Sequence, residues 1–96
     1  MRAVVFRPQA EGEALDVRQW YESRRVGLGE EFGAEVDAAV VRIVESPLAF
    51  PRVRSETRRA VLTRSPYALY FRLTEETIVV LAVHGRQDPS RWHQRS

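Results

Sequence analysis

Residues 77–92 read TIVVLAVHGRQDPSRW, and the rest of the chain is organised around them. The first half of this stretch is apolar at every position from residue 78 to residue 83, so a strand there places apolar side chains on both faces of a sheet. Such a strand is expected in the centre of the sheet. From His84 onward the sequence changes to His, Gly, Arg, Gln, Asp and Pro, which predicts an exit turn carrying exposed polar groups.

Length and composition limit the classes of protein to which this chain can belong. With 96 residues, the chain has room for one modest core, so residues 1–96 are expected to form a single domain. The lack of cysteine excludes disulfides, thiolate catalysis and thiolate-ligated zinc. No apolar run reaches the roughly 18 residues needed to cross a bilayer, and acids interrupt residues 1–20 where a signal peptide would be apolar. The cytoplasm is therefore the expected location, without membrane contact.

Charge is divided unevenly along the chain. Residues 1–50 hold six arginines and nine acids, a net charge of −3, whereas residues 51–96 hold nine arginines and four acids, a net charge of +5. All fifteen basic residues are arginine. A genome rich in G and C would favour arginine codons over lysine codons, which is the simplest explanation of the missing lysine. The clustering in the second half instead predicts a surface for phosphates or carboxylates, which guanidinium groups bind through paired hydrogen bonds.

Hydrophobic periodicity predicts the order β-α-α-β-β-β with a short C-terminal helix. Residues 1–7 read as a strand and residues 9–25 as a helix. The second helix has the strongest apolar stripe in the chain, formed by Leu28, Phe32, Val36, Ala39, Val40, Ile43 and Val44. Residues 48–56 read as an ordered loop, and residues 58–64, 67–74 and 77–83 as strands. Asp88 and Pro89 are typical of a helix start, which predicts a helical turn in the tail.

This order predicts an α+β fold. Consecutive strands favour an antiparallel sheet, and a helical hairpin is expected to cover one of its faces with the apolar stripe. Residues 67–74 alternate cleanly, so Arg72 and its neighbours are expected on the other face. Glu75 and Glu76 leave space for a two-residue turn before the last strand.

Short motifs follow one another along nearly the whole chain. They are FRPQA at residues 6–10, WYE at 20–22, GLG at 27–29, SP at 46–47, RRAVL at 58–62, PYALY at 66–70 and HGRQDPSRW at 84–92. In this order they resemble the RelE/ParE superfamily of toxins from bacterial type II toxin–antitoxin systems, a group that includes plasmid-stabilisation proteins. Each motif is weak by itself, whereas the ordered set is specific for family and fold.

The resemblance implies a cognate antitoxin that wraps and neutralises the toxin in a hetero-oligomer. It also implies one of two targets. Proteins similar to ParE poison DNA gyrase, whereas proteins similar to RelE cut messenger RNA on the ribosome. The sequence shows no glycine-rich phosphate loop and no metal-ligand spacing, so no cofactor or metal is expected.

Cleavage of RNA needs a base, an acid and a cation at the phosphate. His84 with Arg64, Arg72 and Arg86 is a sufficient set on paper, although capping of its own strand is the favoured role for His84. RelE-like nucleases tend to carry an ionisable aromatic where Trp92 stands, and an indole cannot act as a base.

A ParE-like toxin that binds its target, such as DNA gyrase, without catalysing a reaction is therefore favoured over the nuclease. A non-toxic scaffold that merely binds an antitoxin is a third alternative. The residues predicted to contact a partner or target are Arg59, Arg64, Arg72, Arg86, Arg91 and Trp92.

Overall fold

The computed structural model describes residues 2–85. Strand β1 (Ala3–Phe6) leads into helices α1 (Pro8–Arg24) and α2 (Leu28–Glu45), and a 3₁₀ turn (Pro47–Ala49) follows. Four strands complete the order: β2 (Arg52–Arg54), β3 (Thr57–Val61), β4 (Tyr67–Leu73) and β5 (Thr77–Gly85). The α+β class and the predicted order are confirmed, and β2 is an additional strand within the segment predicted as a loop. The predicted C-terminal helix lies outside the described residues.

The five strands form one mixed sheet in the order β1-β5-β4-β3-β2. Strands β2 to β5 form the expected antiparallel meander, but β1 runs parallel to β5, with Ala3 opposite Thr77 and Phe6 opposite Val80. The helical hairpin carries the chain from β1, at one edge of the sheet, to β2 at the other edge. The meander then crosses back strand by strand, so that β5 lies beside β1 and parallel to it. Strand β5 is paired on both sides as its apolar sequence requires, although the middle strand is β4.

Both helices cover one face of the sheet. The middle of the predicted stripe of α2 is buried there, whereas Leu28, Val40 and Val44 are half-buried. Ile43 is only 1% exposed, and a side chain of this size contributes about 1.5–3 kcal/mol when fully buried. Facing it from the sheet are Ala60, Leu69, Phe71, Ile78, Val80 and Val83. A smaller cluster on the opposite face contains Ala68, Tyr70 and Ala82, with Val53 of β2 packed against it.

The two helices approach each other closely where the chain turns between them. Gly27 has a φ of 94°, a left-handed conformation that favours glycine. The Glu22 carboxylate accepts hydrogen bonds from the backbone N–H groups of Gly27 (3.0 Å) and Gly29 (2.9 Å), which lower the pKa of Glu22. A Cβ atom at Gly29 would lie 2.7 Å from the backbone oxygen of Arg18, so α2 can approach α1 this closely only with glycine at that position.

Replacing Gly29 with alanine is therefore expected to lower the free energy of unfolding by about 1–3 kcal/mol, because the backbone of α1 has to move away. Gly12→Ala is the matched control, since a Cβ atom there meets nothing within 4 Å. Alanine at position 12 of the exposed helix surface should stabilise the protein by up to about 1 kcal/mol. Urea unfolding followed by circular dichroism measures both effects. Equal stabilities for the two variants would contradict the close helix contact.

Candidate functional site

Two of the predicted arginines lie on the sheet face opposite the helices. Arg59 of β3 pairs with Tyr70 of β4, whose side chain belongs to the cluster on that face. Arg72 follows Tyr70 by two residues and therefore shares its face, where it pairs with Val79 of β5. Both arginines are half-buried, and the tyrosine between them is fully buried. The strands thus place two arginines and one tyrosine on the same face, and guanidinium groups are suited to binding carboxylates or phosphates.

Arg64 lies elsewhere, in the loop between β3 and β4. Its backbone N–H donates a hydrogen bond to the Glu35 carboxylate of α2, and the Ser65 hydroxyl (2.8 Å) and the Thr63 hydroxyl (3.2 Å) donate to the same group. Partial burial raises the pKa of Glu35. These hydrogen bonds together lower it by more than burial raises it, so the net shift of the pKa is downward. The loop is consequently held on α2, and Arg64 does not join Arg59 and Arg72.

The side chains around Arg64 form a small pocket of about 140 Å³. Its walls include the rings of Tyr21 and Phe32, whose centroids lie 5.6 Å apart. Burial, with smaller contributions from the nearby Tyr67 and Glu35, raises the pKa of Tyr21 above its ordinary value. The pocket can accept a single side chain and is too small for an ordinary metabolite.

His84 is buried, with 8% of its surface exposed. Its Nε2 atom lies 3.0 Å from Oε2 of Glu13 on α1, while Oε1 of the same carboxylate accepts the backbone N–H of Val83 at 3.0 Å. This contact joins α1 to β5 beyond the last residue of β1. In the strand register His84 is opposite Ala68, four residues from Arg72, or roughly 13 Å at the rise of a strand. The structure therefore does not bring His84 next to Arg72, and its use as a base stays a prediction.

The remaining predicted site residues, Arg86, Arg91 and Trp92, lie outside the described residues. Glu13 and Glu35 were missed by the sequence reasoning. Glu13 falls three residues after Ala10 and four before Val17, so an acid on the inward stripe of α1 was the available signal. No sequence signal marks Glu35, because its donors come from a loop distant in the chain.

A groove runs along the outer side of the helical hairpin. One hollow of about 480 Å³ lies between the first half of α1 and the middle of α2, and its floor includes Ala14, Phe32 and Val36. A second hollow of about 290 Å³ continues toward the helix turn. Leu15 and Arg18 line both hollows, and Leu15 is 53% exposed. The guanidinium of Arg18 reaches Gly33 of α2 and separates the two hollows, and the apolar floor belongs to the larger one.

Within residues 2–85, no group of three or more His, Asp or Glu side chains is placed to hold a metal ion. No helix in the same range is long and apolar enough to cross a membrane.

Comparison with solved structures identifies the fold. The chain is similar to a chain of the chromosomal ParDE TA system from P. aeruginosa, with a TM-score of 0.61 and 20% sequence identity over 88% of this chain and 96% of that one. It is also similar to a chain of the toxin-antitoxin complex RelBE2 from Mycobacterium tuberculosis, with a TM-score of 0.62 and 21% identity over 88% of this chain and 98% of that one. No protein-family model and no curated protein matches the sequence. The RelE/ParE fold expected from the motifs is therefore confirmed.

The Glu35 contact predicts a stability that depends on pH. A carboxyl whose pKa is lowered by folding stabilises the protein above its unfolded pKa, near 4.3, and this contribution is lost as pH falls through the folded value. Glu35→Gln should lower the free energy of unfolding by about 1–3 kcal/mol at pH 7 and by much less at pH 3. Denaturant unfolding at the two pH values measures the difference.

Glu31→Gln is the control for this experiment, because Glu31 forms only an exposed contact with Arg25 at 3.7 Å. The loop contact would be contradicted if Glu31→Gln lowered the free energy of unfolding as much as Glu35→Gln does. It would also be contradicted if the effect of Glu35→Gln on this free energy did not change with pH.

Replacing Glu13 with alanine should cost about 1–3 kcal/mol, because it leaves the N–H of Val83 and the ring of His84 without this carboxylate. The Val83 amide should exchange hydrogen faster in this variant than in the parent protein. Asp16→Ala, which changes an exposed acid of the same helix, should alter neither quantity. Unchanged exchange at Val83 in Glu13→Ala would show that the contact does not hold α1 on β5.

Proposed function

We propose that this chain is the toxin of a type II toxin–antitoxin pair, that it acts by binding a protein target such as DNA gyrase, and that a cognate antitoxin neutralises it. The likeness to chains of the ParDE and RelBE2 systems supports the toxin–antitoxin assignment. Both systems contain a toxin and an antitoxin, so a protein partner belongs to the proposal. The ordered motifs, which span nearly the whole chain, point the same way.

The observation that carries the choice of binding over catalysis is the position of His84. A general base has to reach the proton that it removes, within hydrogen-bond distance or through one water molecule. His84 is buried against Glu13 and roughly four residues of strand away from Arg72, while Arg64 is held on α2 by Glu35. Among residues 2–85, His84 and Arg72 thus share one face of the sheet but lie about four residues of strand apart, and Arg64 lies in the loop held on α2.

The proposed target surface is formed by the exposed parts of Arg59 and Arg72, because the cluster of Ala68, Tyr70 and Ala82 on the same sheet face is buried. These arginines lie on adjacent strands of a rigid sheet, and such positions hold side chains more firmly than loops do. Acidic side chains of a protein target would complement them. Arg64, Arg86, Arg91 and Trp92 remain proposed contacts to the target or the antitoxin.

The proposal predicts that induction of this chain without its antitoxin arrests growth and induces the SOS response without new cuts in messenger RNA. Arg59→Ala and Arg72→Ala should relieve the arrest while the proteins remain folded, and Arg25→Ala, an exposed arginine on the helical side, should not. Colony counts, an SOS reporter and primer extension on abundant messages measure these outcomes.

Three results would separate the alternatives. Cuts in messenger RNA that disappear in His84→Gln would establish a RelE-like ribosome-dependent nuclease and overturn target binding as the mechanism. Harmless expression without any antitoxin would leave a scaffold that has lost toxicity. An open reading frame next to this gene should encode the antitoxin, and co-expression of that frame should restore growth. Absence of such a frame, with a chain stable alone, would argue against the pair.

A further inference from the structure

The small pocket beside Arg64 lies apart from the proposed target surface. It has a volume of about 140 Å³ and is enclosed by the end of α1, the first half of α2 and the loop between β3 and β4. Three apolar or aromatic side chains line it, those of Tyr21, Leu28 and Phe32. Walls of this kind contact the methylene stem of a long side chain while the charged end of that side chain reaches a polar group.

The Glu35 carboxylate brings negative charge to this pocket. Its Oε2 atom accepts hydrogen bonds from the Thr63 hydroxyl and from the backbone N–H groups of Arg64 and Ser65, and its Oε1 atom accepts one from the Ser65 hydroxyl. All four donors are neutral groups, and among residues 2–85 no ion pair balances the charge. Each carboxylate oxygen has roughly two acceptor sites, so Oε1 can accept one more hydrogen bond.

Two further charged side chains line the pocket, Glu31 and Arg64, and both are exposed. Glu31 lies 3.7 Å from Arg25, in a contact between exposed groups that contributes little. The exposed guanidinium of Arg64 can turn toward solvent when another cation enters. The half-buried charge is therefore that of Glu35, and the lower dielectric around it favours a cationic ligand.

We propose that this pocket binds a guanidinium or ammonium group carried on a short linear chain, the chemistry of arginine and lysine side chains. The cationic end donates a hydrogen bond to Oε1 of Glu35, and the stem contacts the rings of Tyr21 and Phe32. A guanidinium group is the better fit, because it is planar and stacks on aromatic rings. Such binding is independent of the proposed toxin function.

Titration of the full-length chain with n-butylguanidinium tests the proposal, with n-butanol and butyrate as neutral and anionic probes of similar length. The Ser65 amide reports binding in nitrogen–proton correlation spectra, because it donates to Glu35 at 3.2 Å. Saturable binding with a dissociation constant in the millimolar range is expected for a ligand of about eight non-hydrogen atoms. Butyrate and n-butanol should bind at least about tenfold more weakly.

Two substitutions at exposed positions should change this affinity in opposite directions. Arg64→Ala removes a like charge and should tighten binding by about threefold, whereas Glu31→Gln should weaken it by about threefold. The matched controls are Arg52→Ala and Glu30→Gln, which make the same charge changes at exposed positions outside this pocket and should alter the affinity by less than about 1.5-fold. Circular dichroism verifies that each variant is folded.

A blocked tripeptide with a central arginine distinguishes the sources of the cation. Tighter binding of the tripeptide than of n-butylguanidinium would assign the pocket to a side chain of a partner protein, and binding of the free cation alone would assign it to a small guanidine or amine.

Three outcomes would overturn the proposal. They are a Ser65 amide that does not shift at millimolar n-butylguanidinium, binding of butyrate or n-butanol as tight as that of the cation, and equal affinities in Arg64→Ala and Arg52→Ala. None of these outcomes bears on toxicity, so failure here leaves the proposed function standing.

Discussion

The structure depends on the pairing of β5 along both of its edges. On one side β4 matches it over most of its length, and on the other β1 matches only its first residues. Because α1 begins two residues after β1 ends, the position of β1 on β5 also sets where the first helix crosses the sheet. Beyond the end of β1, the carboxylate of Glu13 on α1 accepts a hydrogen bond from the N–H of Val83 at the same edge of β5. One buried strand thus positions both the helical layer and His84.

Local patterns predicted most of the fold, and pairing between distant segments accounts for what they missed. The stripe of α2 and the alternation of β4 each follow from the period of a single element, which the sequence contains in full. The parallel pairing of β1 is not a local property, because it depends on which sheet edge receives the first strand. Strand β2 has only three residues, two of them arginine, and it forms because β3 offers an unpaired edge. The contacts of Glu13 and Glu35 likewise join segments distant in sequence.

The candidate site shows the same limit. Alternation along β3 and β4 puts Arg58 and Arg59 on opposite faces of the sheet and Arg72 on the face of Tyr70. Arg58 instead donates a hydrogen bond to the backbone oxygen of Phe50 at 2.6 Å. Composition grouped Arg64 with the other arginines of the basic half, whereas the fold places it beside α2. Net charge along a chain therefore predicts that a basic surface exists, and strand register decides which arginines can share it.

We propose that this chain acts by binding through its arginine-bearing sheet and not by cutting RNA. Titration of the purified chain into a DNA gyrase supercoiling reaction tests it most directly, with relaxed plasmid as substrate. We expect the parent chain and His84→Gln to inhibit supercoiling, and Arg59→Ala combined with Arg72→Ala to remove the inhibition. Unimpaired supercoiling, together with cleavage of messenger RNA by the same preparation on ribosomes, would contradict it.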